Sequence, residues 1–147
     1  MLAIAGGAIW TQVVEPGGAK PLPWIDVTAR MGMGPVPWPK SVTRSFWKRS
    51  QVVRYLARTF PGHPPRVAPF DFGRYRLVLV AAGPRSSTGY GVEIVHVKER
   101  RGDIRVLARE LTPSLGRRVV ARLTSPYRLI AIPATTKRVY FSWQGRP

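Results

Sequence analysis

The sequence predicts a mainly β domain with one short helix, built as an antiparallel β-sandwich or partly open barrel. Three observations carry that expectation. From about residue 70 onward, short strand-like runs alternate with turn signals at regular spacing. Convincing helical periodicity occurs only within residues 40–62. The 147 residues, with an apolar fraction of 44% and five each of Trp, Tyr and Phe, suffice for one hydrophobic core and not for two comfortable ones.

Residues 1–40 read as a Pro/Gly-rich extension with short strands. Gly17-Gly18, Pro21, Pro23, Pro35, Pro37 and Pro39 forbid a long helix there. Ala8 to Val14 and Trp24 to Arg30 are rich enough in β-branched and aromatic residues to suit strands. The apolar run Leu2 to Trp10 is too short to span a bilayer and lacks the basic start of a secretory signal. It reads as an N-terminal strand or frayed end, with the tail of a removed signal or anchor as the alternative. The run Pro35-Val36-Pro37-Trp38-Pro39 is expected to be extended, a rigid connector over the core or else a ligand for a partner.

Residues 41–147 form the β domain proper. Val42 to Trp47 alternates as a strand, and Val52, Val53, Leu56 and Phe60 then recur at helical spacing, with Arg54 and Arg58 on another face. Ser50 is the expected N-cap and Pro61-Gly62 the stop. Tyr75 to Ala82 is short and almost uniformly apolar, which places it centrally in a sheet. Strands are expected at Tyr90–Glu99, Ile104–Leu111, Arg117–Leu123, Tyr127–Ile132 and Val139–Trp143. The connections are Gly83-Pro84, Arg101-Gly102-Asp103, Pro113 to Gly116, Ser125-Pro126 and Pro133.

Composition narrows the function. With no cysteine, the chain cannot hold a disulfide, a thiolate zinc site or an iron–sulfur cluster, and it has no thiol nucleophile. The abundance of Pro and Arg fits a thermophilic source. A net charge of +17 implies an anionic neighbour, whether nucleic acid, an acidic surface or an acidic protein. The arginines are nonetheless spread along the chain rather than gathered in one block.

Enzyme signatures are not found. His63 and His96 match no metal-binding spacing, and His63 is expected to be exposed in a turn while His96 serves structure within a strand. Asp71 reads as a buried turn residue accepting backbone N–H groups, and an Asp71–Glu93 acid–base dyad is a weak alternative. Ser86, Ser87 and Thr88 lack the nucleophile elbow, and Gly89-Tyr90-Gly91 leads into a strand instead of the helix that a dinucleotide site needs. No catalytic residue, metal or cofactor is expected.

Two candidate contact surfaces remain. If 104–111 and 117–123 pair as a hairpin, Arg105, Arg109, Arg118 and Arg122 align as a basic sheet face joined by Arg128, with a solvated outer face as the plain alternative. The other is the turn Arg85-Ser86-Ser87-Thr88-Gly89-Tyr90. Its Gly89 frees the backbone and its Tyr90 offers an amphipathic ring, either to a partner or to the end of the sandwich.

The same segment carries a family resemblance. Asp71-Phe72, Leu77-Val78-Leu79-Val80, Gly83 and Ser87-Thr88-Gly89-Tyr90-Gly91-Val92-Glu93-Ile94 resemble the PrcB C-terminal domain family, as does Ser125-Pro126-Tyr127 followed by Ile130, Ile132 and Pro133. The likeness covers about residues 41–141. Thr88 stands where the family has Gly, and Thr resists the positive φ that Gly permits, so a differently shaped turn is expected. The resemblance implies a protein-binding module associated with a secreted protease, without catalytic residues, acting outside the cytoplasmic membrane. A weaker likeness, limited to Thr88-Gly89-Tyr90, is to chagasin-type protease inhibitors. Three function classes follow: a protease-associated or envelope interaction module, a nucleic-acid or polyanion binder, and a structural subunit of an envelope or filament assembly. Exposed Trp10, Trp24 and Trp38 would favour the last.

Overall fold

The computed structural model describes residues 18–145. The expectations for Leu2–Trp10 and Ala8–Val14 therefore lie outside the described residues. Two four-stranded sheets face each other as a sandwich, not a closed barrel. The first contains β1 (Lys20–Pro21), β5 (Gly91–Arg100), β6 (Asp103–Leu111) and β8 (Val139–Gln144), in that order. In the second, β2 (Ile25–Asp26), β7 (Tyr127–Pro133), β4 (Tyr75–Ala81) and β3 (Val42–Phe46) lie side by side.

Helix α1 (Arg49–Thr59) covers the outer face of the second sheet, so that sheet is the middle layer of three. This explains the uniform apolarity of β4. Successive side chains of a strand point to opposite faces. Leu77, Leu79 and Ala81 pack against Val52 and Leu56 of α1, while Val78 and Val80 pack against Ile104 and Val106 of β6. Strand β7 repeats the division in register, pairing Leu77 with Ala131 and Val78 with Ile130. Ala131 joins the helix side and Ile130 the space between sheets.

The 20–26 stretch laces the sheets together along one side. β1 pairs with β5 in one sheet and β2 with β7 in the other, with Pro23 between them. Beyond it, Val27, Met31, Val36 and Trp38 enter the same core as the helix. Trp38 is buried, stacking near Tyr55 and meeting Phe60 and Tyr127 edge-on. Trp24 packs half-buried against the inter-sheet core. The burial of Trp38 counts against its use as an exposed assembly contact.

Helix α1 begins at Lys48 as N-cap, not Ser50. The Gln51 side chain supplies the reason: its Oε1 accepts the backbone N–H groups of Trp47 and Lys48 at 2.9 and 3.2 Å, so the entry is capped from inside the helix. Val52 and Leu56 are buried as expected, whereas Val53 is exposed. The helix ends at Thr59 with Phe60 as C-cap, and Gly62 follows at φ 84°.

The sheet order corrects one expectation. Residues 117–123 form no strand and do not pair with β6, because β8 occupies that edge in parallel register from Ile104↔Val139 to Arg109↔Gln144. To reach it, the chain leaves β7 and crosses between sheets through residues 134–138. Arg76 holds this crossing. Its guanidinium, 4.6 Å from the Trp47 ring centre, donates to the Thr135 and Lys137 carbonyls and to Ser45 Oγ. Burial lowers the pKa of this guanidinium, whose acceptors here are neutral oxygens.

Ile130 touches both sheets and is fully buried. Ile130→Ala is expected to lower unfolding free energy by about 2–5 kcal/mol, the usual range for truncating a packed aliphatic side chain. A urea titration that moves by less than about 1 kcal/mol would contradict this packing.

Candidate functional site

The strand β4 ends in a tight approach between chain segments. Gly83 has φ 86°, and a Cβ there would lie 2.8 Å from the Ser41 nitrogen and 2.9 Å from the Lys40 carbonyl carbon. Only glycine fits both the left-handed backbone and the contact. The chain then meets the 112–128 segment, pairing Arg85 and Thr124 through N–H···O bonds of 2.7 and 2.8 Å.

Each residue of the candidate turn finds its own place. Arg85 donates from Nε to both carboxylate oxygens of Glu110 at 3.1 Å, and that hydrogen bond raises its pKa. Ser86 is exposed, and Ser87 is buried with its carbonyl accepting from Thr124 Oγ1 at 2.7 Å. Thr88 is clasped by Val120: its N–H donates to the Val120 carbonyl at 3.1 Å and its Oγ1 accepts the Val120 N–H at 2.9 Å. Thr88 does not adopt positive φ; the turn uses its hydroxyl to hold the facing loop. At Gly89 a Cβ would come within 2.6 Å of both Pro113 and Val119, so that loop packs directly on the turn. Tyr90 is half-buried and faces a groove.

The basic residues scatter once 117–123 is a loop. Arg105 is exposed on the first sheet, 5.6 Å over the Tyr140 ring. Its neighbour Arg109 pairs with Glu93. Arg118 and Arg122 lie exposed on the loop, so they do not align beside Arg105 and Arg109. Arg128 donates from Nε to the Val92 carbonyl at 2.9 Å and lies 3.6 Å from Asp26. The single basic face expected from a 104–111/117–123 hairpin is therefore replaced by separate local contacts.

What the structure does bring together is Tyr90, Arg122 and Arg128. They line a groove of about 820 Å³ with Pro37, Trp38 and Tyr127. Leu123, 78% exposed, stands at the same groove. Among the described residues no carboxylate lines it. Its walls are pinned to one another, for the Tyr127 hydroxyl donates to the Gly34 carbonyl at 2.5 Å and Ser125 Oγ to the Trp38 carbonyl at 3.0 Å. Such a site is apolar and preformed, with two arginines on one wall, suited to an apolar segment with an acidic neighbour.

The groove escaped sequence reading because its walls come from residues 35–39, 90–92 and 122–128, which no local pattern links. A second cavity, lined by Arg44, Arg54 and Arg58, was also missed. Its signal was the four-residue spacing of Arg54 and Arg58 on the polar face of α1.

The structure does not bring Asp71 and Glu93 together as a dyad. Exposed Asp71 accepts the Gly73 and Arg74 N–H groups through Oδ1 at 3.0 and 3.3 Å, a turn role as expected but not a buried one. Its proposed dyad partner Glu93 is occupied by Arg109. His63 is exposed and His96 is half-buried in β5. Among the described residues, no three His, Asp or Glu side chains gather as a metal site, and no helix is long and apolar enough to cross a membrane.

Glu110→Gln leaves the largely buried Arg85 without its charge partner and is expected to cost about 3 kcal/mol in a denaturant titration; a change below about 0.5 kcal/mol would show the pair to be incidental. Burial pushes the Tyr127 hydroxyl above the ordinary tyrosine value. A raised folded pKa gives stability that is complete below the unfolded value of about pH 10 and is lost as pH rises through the folded value. Tyr127→Phe should thus flatten the alkaline fall in stability while costing about 1 kcal/mol at neutral pH through the lost hydrogen bond. An alkaline limb identical to the parent's would refute this role for Tyr127.

No curated protein and no solved structure matches the chain. A family model does. It spans β4 to β7, including the turn at 85–90 and the loop that clasps it. Residues 76–133 match the PrcB C-terminal family, and the resemblance read from the sequence holds over that segment.

Proposed function

We propose that this chain is a non-enzymatic protein-interaction module, an accessory subunit of an extracytoplasmic protease complex or envelope assembly. The observation that carries this reading is the coincidence of the family segment with much of the groove. Tyr90, Arg122, Leu123, Tyr127 and Arg128 all fall within residues 76–133. The proposed occupant is an extended, apolar segment of the partner bearing carboxylates. Charge complementarity favours it, since among the described residues Arg122 and Arg128 line the groove and no acid does, and the whole chain carries +17. Tyr90 and Tyr127 supply aromatic surface of the kind that anchors protein interfaces.

A polyanion-binding reading rests on the net charge alone, with Arg105, Arg109, Arg118, Arg122 and Arg128 as its contacts. The separation of these residues into local contacts gives it less support than the groove gives to a protein partner.

Co-purification of the whole chain from its source cells, followed by mass spectrometry, is expected to recover a secreted protease or a defined envelope protein. The surface substitutions Arg122→Glu and Leu123→Asp together should weaken that association at least about tenfold, a modest loss for a central interface pair. Recovery of nucleic acid alone, with affinity falling steeply as salt rises, would replace this reading with the polyanion one.

A further inference from the structure

Away from the groove, a cavity of about 320 Å³ opens between β3 and α1. Three arginines line it: Arg44 from the strand, and Arg54 and Arg58 one turn apart on the helix. Among the described residues, neither Asp nor Glu lines it and none of the three guanidiniums has a carboxylate partner.

Such an arrangement costs stability. Like charges at i and i+4 on a helix repel by a few tenths of a kcal/mol, roughly, and a third cation from the facing strand adds to the repulsion. The other polar groups at the cavity are also oriented. Gln51 Oε1 is occupied by the Trp47 and Lys48 N–H groups, which leaves the side-chain NH₂ as a donor. The Arg44 guanidinium lies 4.5 Å from the Tyr55 ring centre, a cation–π contact that restricts its position. The described lining is therefore rich in cationic donors and free of carboxylates, and the Ser45 Oγ there already accepts from Arg76.

We infer that the cavity between β3 and α1 is a binding site for a phosphoryl oxyanion, held by the guanidiniums of Arg44, Arg54 and Arg58. Planar guanidinium forks match the oxygen spacing of phosphate and bind it bidentately, which an ammonium cannot do. This site goes beyond the protein-docking reading and does not depend on it.

Calorimetric titration of the full chain with pyrophosphate, orthophosphate and sulfate, at constant ionic strength, tests the inference. A saturable isotherm with one site per chain is expected for pyrophosphate, tighter than for orthophosphate or sulfate. Arg54→Glu with Arg58→Glu should weaken it at least about tenfold, or 1.4 kcal/mol. Arg54→Lys with Arg58→Lys keeps the charge and should still weaken it, because the fork is lost. The control pair Arg100→Glu and Arg138→Glu removes the same charge from exposed positions elsewhere and should leave the affinity within about twofold, the screened long-range share of the field. Both glutamate pairs alter exposed side chains, and circular dichroism melts verify that each folds. Absence of pyrophosphate binding would overturn the inference. So would several equivalent sites per chain, or equal weakening by the control pair. Tight binding of a short DNA duplex that the Arg54/Arg58 pair leaves unchanged, without pyrophosphate binding, would instead identify a diffuse polyelectrolyte surface.

Discussion

Burial of β4 and β7 on both faces is the constraint on which the rest of the molecule depends. A strand covered on one face alone can alternate apolar with polar residues, but these two must be apolar throughout their centres. Leu77, Leu79, Leu129 and Ala131 recruit the helix and the 27–38 segment on one side, while Val78, Val80, Ile130 and Ile132 recruit the first sheet on the other. Neither outer layer packs without this middle one. The groove follows from it as well, because its far wall is the 35–39 segment, held down by Trp38 in the helix-side core.

Polar groups were then fitted around that apolar centre. Arg76 extends from β4, is only 4% exposed, and satisfies the carbonyls of the crossing between sheets instead of meeting a carboxylate. Glu110 secures Arg85 at the opposite end of the strand. Thr88, in place of a glycine, turns its hydroxyl into a clasp on the facing loop. These contacts give the turn and its loop a fixed shape, which a binding surface needs if it is not to lose ordering entropy on association.

Much of this was legible in the sequence. Strand β4 and helix α1 were readable because their patterns are set by local burial: uniform for a middle layer, periodic for a one-faced helix. The 117–123 segment misled because Val119, Ala121 and Leu123 alternate as a strand would. Alternation there has another cause, with Val119 packed on Gly89 and Leu123 standing at the groove. The place of β8 beside β6 was invisible, since parallel neighbours need a crossover and no turn residue marks it. The two cavities were hidden for a related reason: each is assembled from elements separated along the chain.

The parallel seating of β8 also makes the edge of β6 a long-range closure. To reach it the chain leaves β7 in the second sheet and crosses back past Arg76, so the ladder from Ile104↔Val139 to Arg109↔Gln144 joins distant parts of the sequence. Contacts that join distant parts of a chain form slowly, because the intervening loop must be closed first. A chain in which β8 is displaced exposes the ladder of β6 and the apolar surface that Val139, Phe141 and Trp143 cover, the kind of open edge that recruits other chains. A charge of +17 opposes such encounters by repulsion between copies.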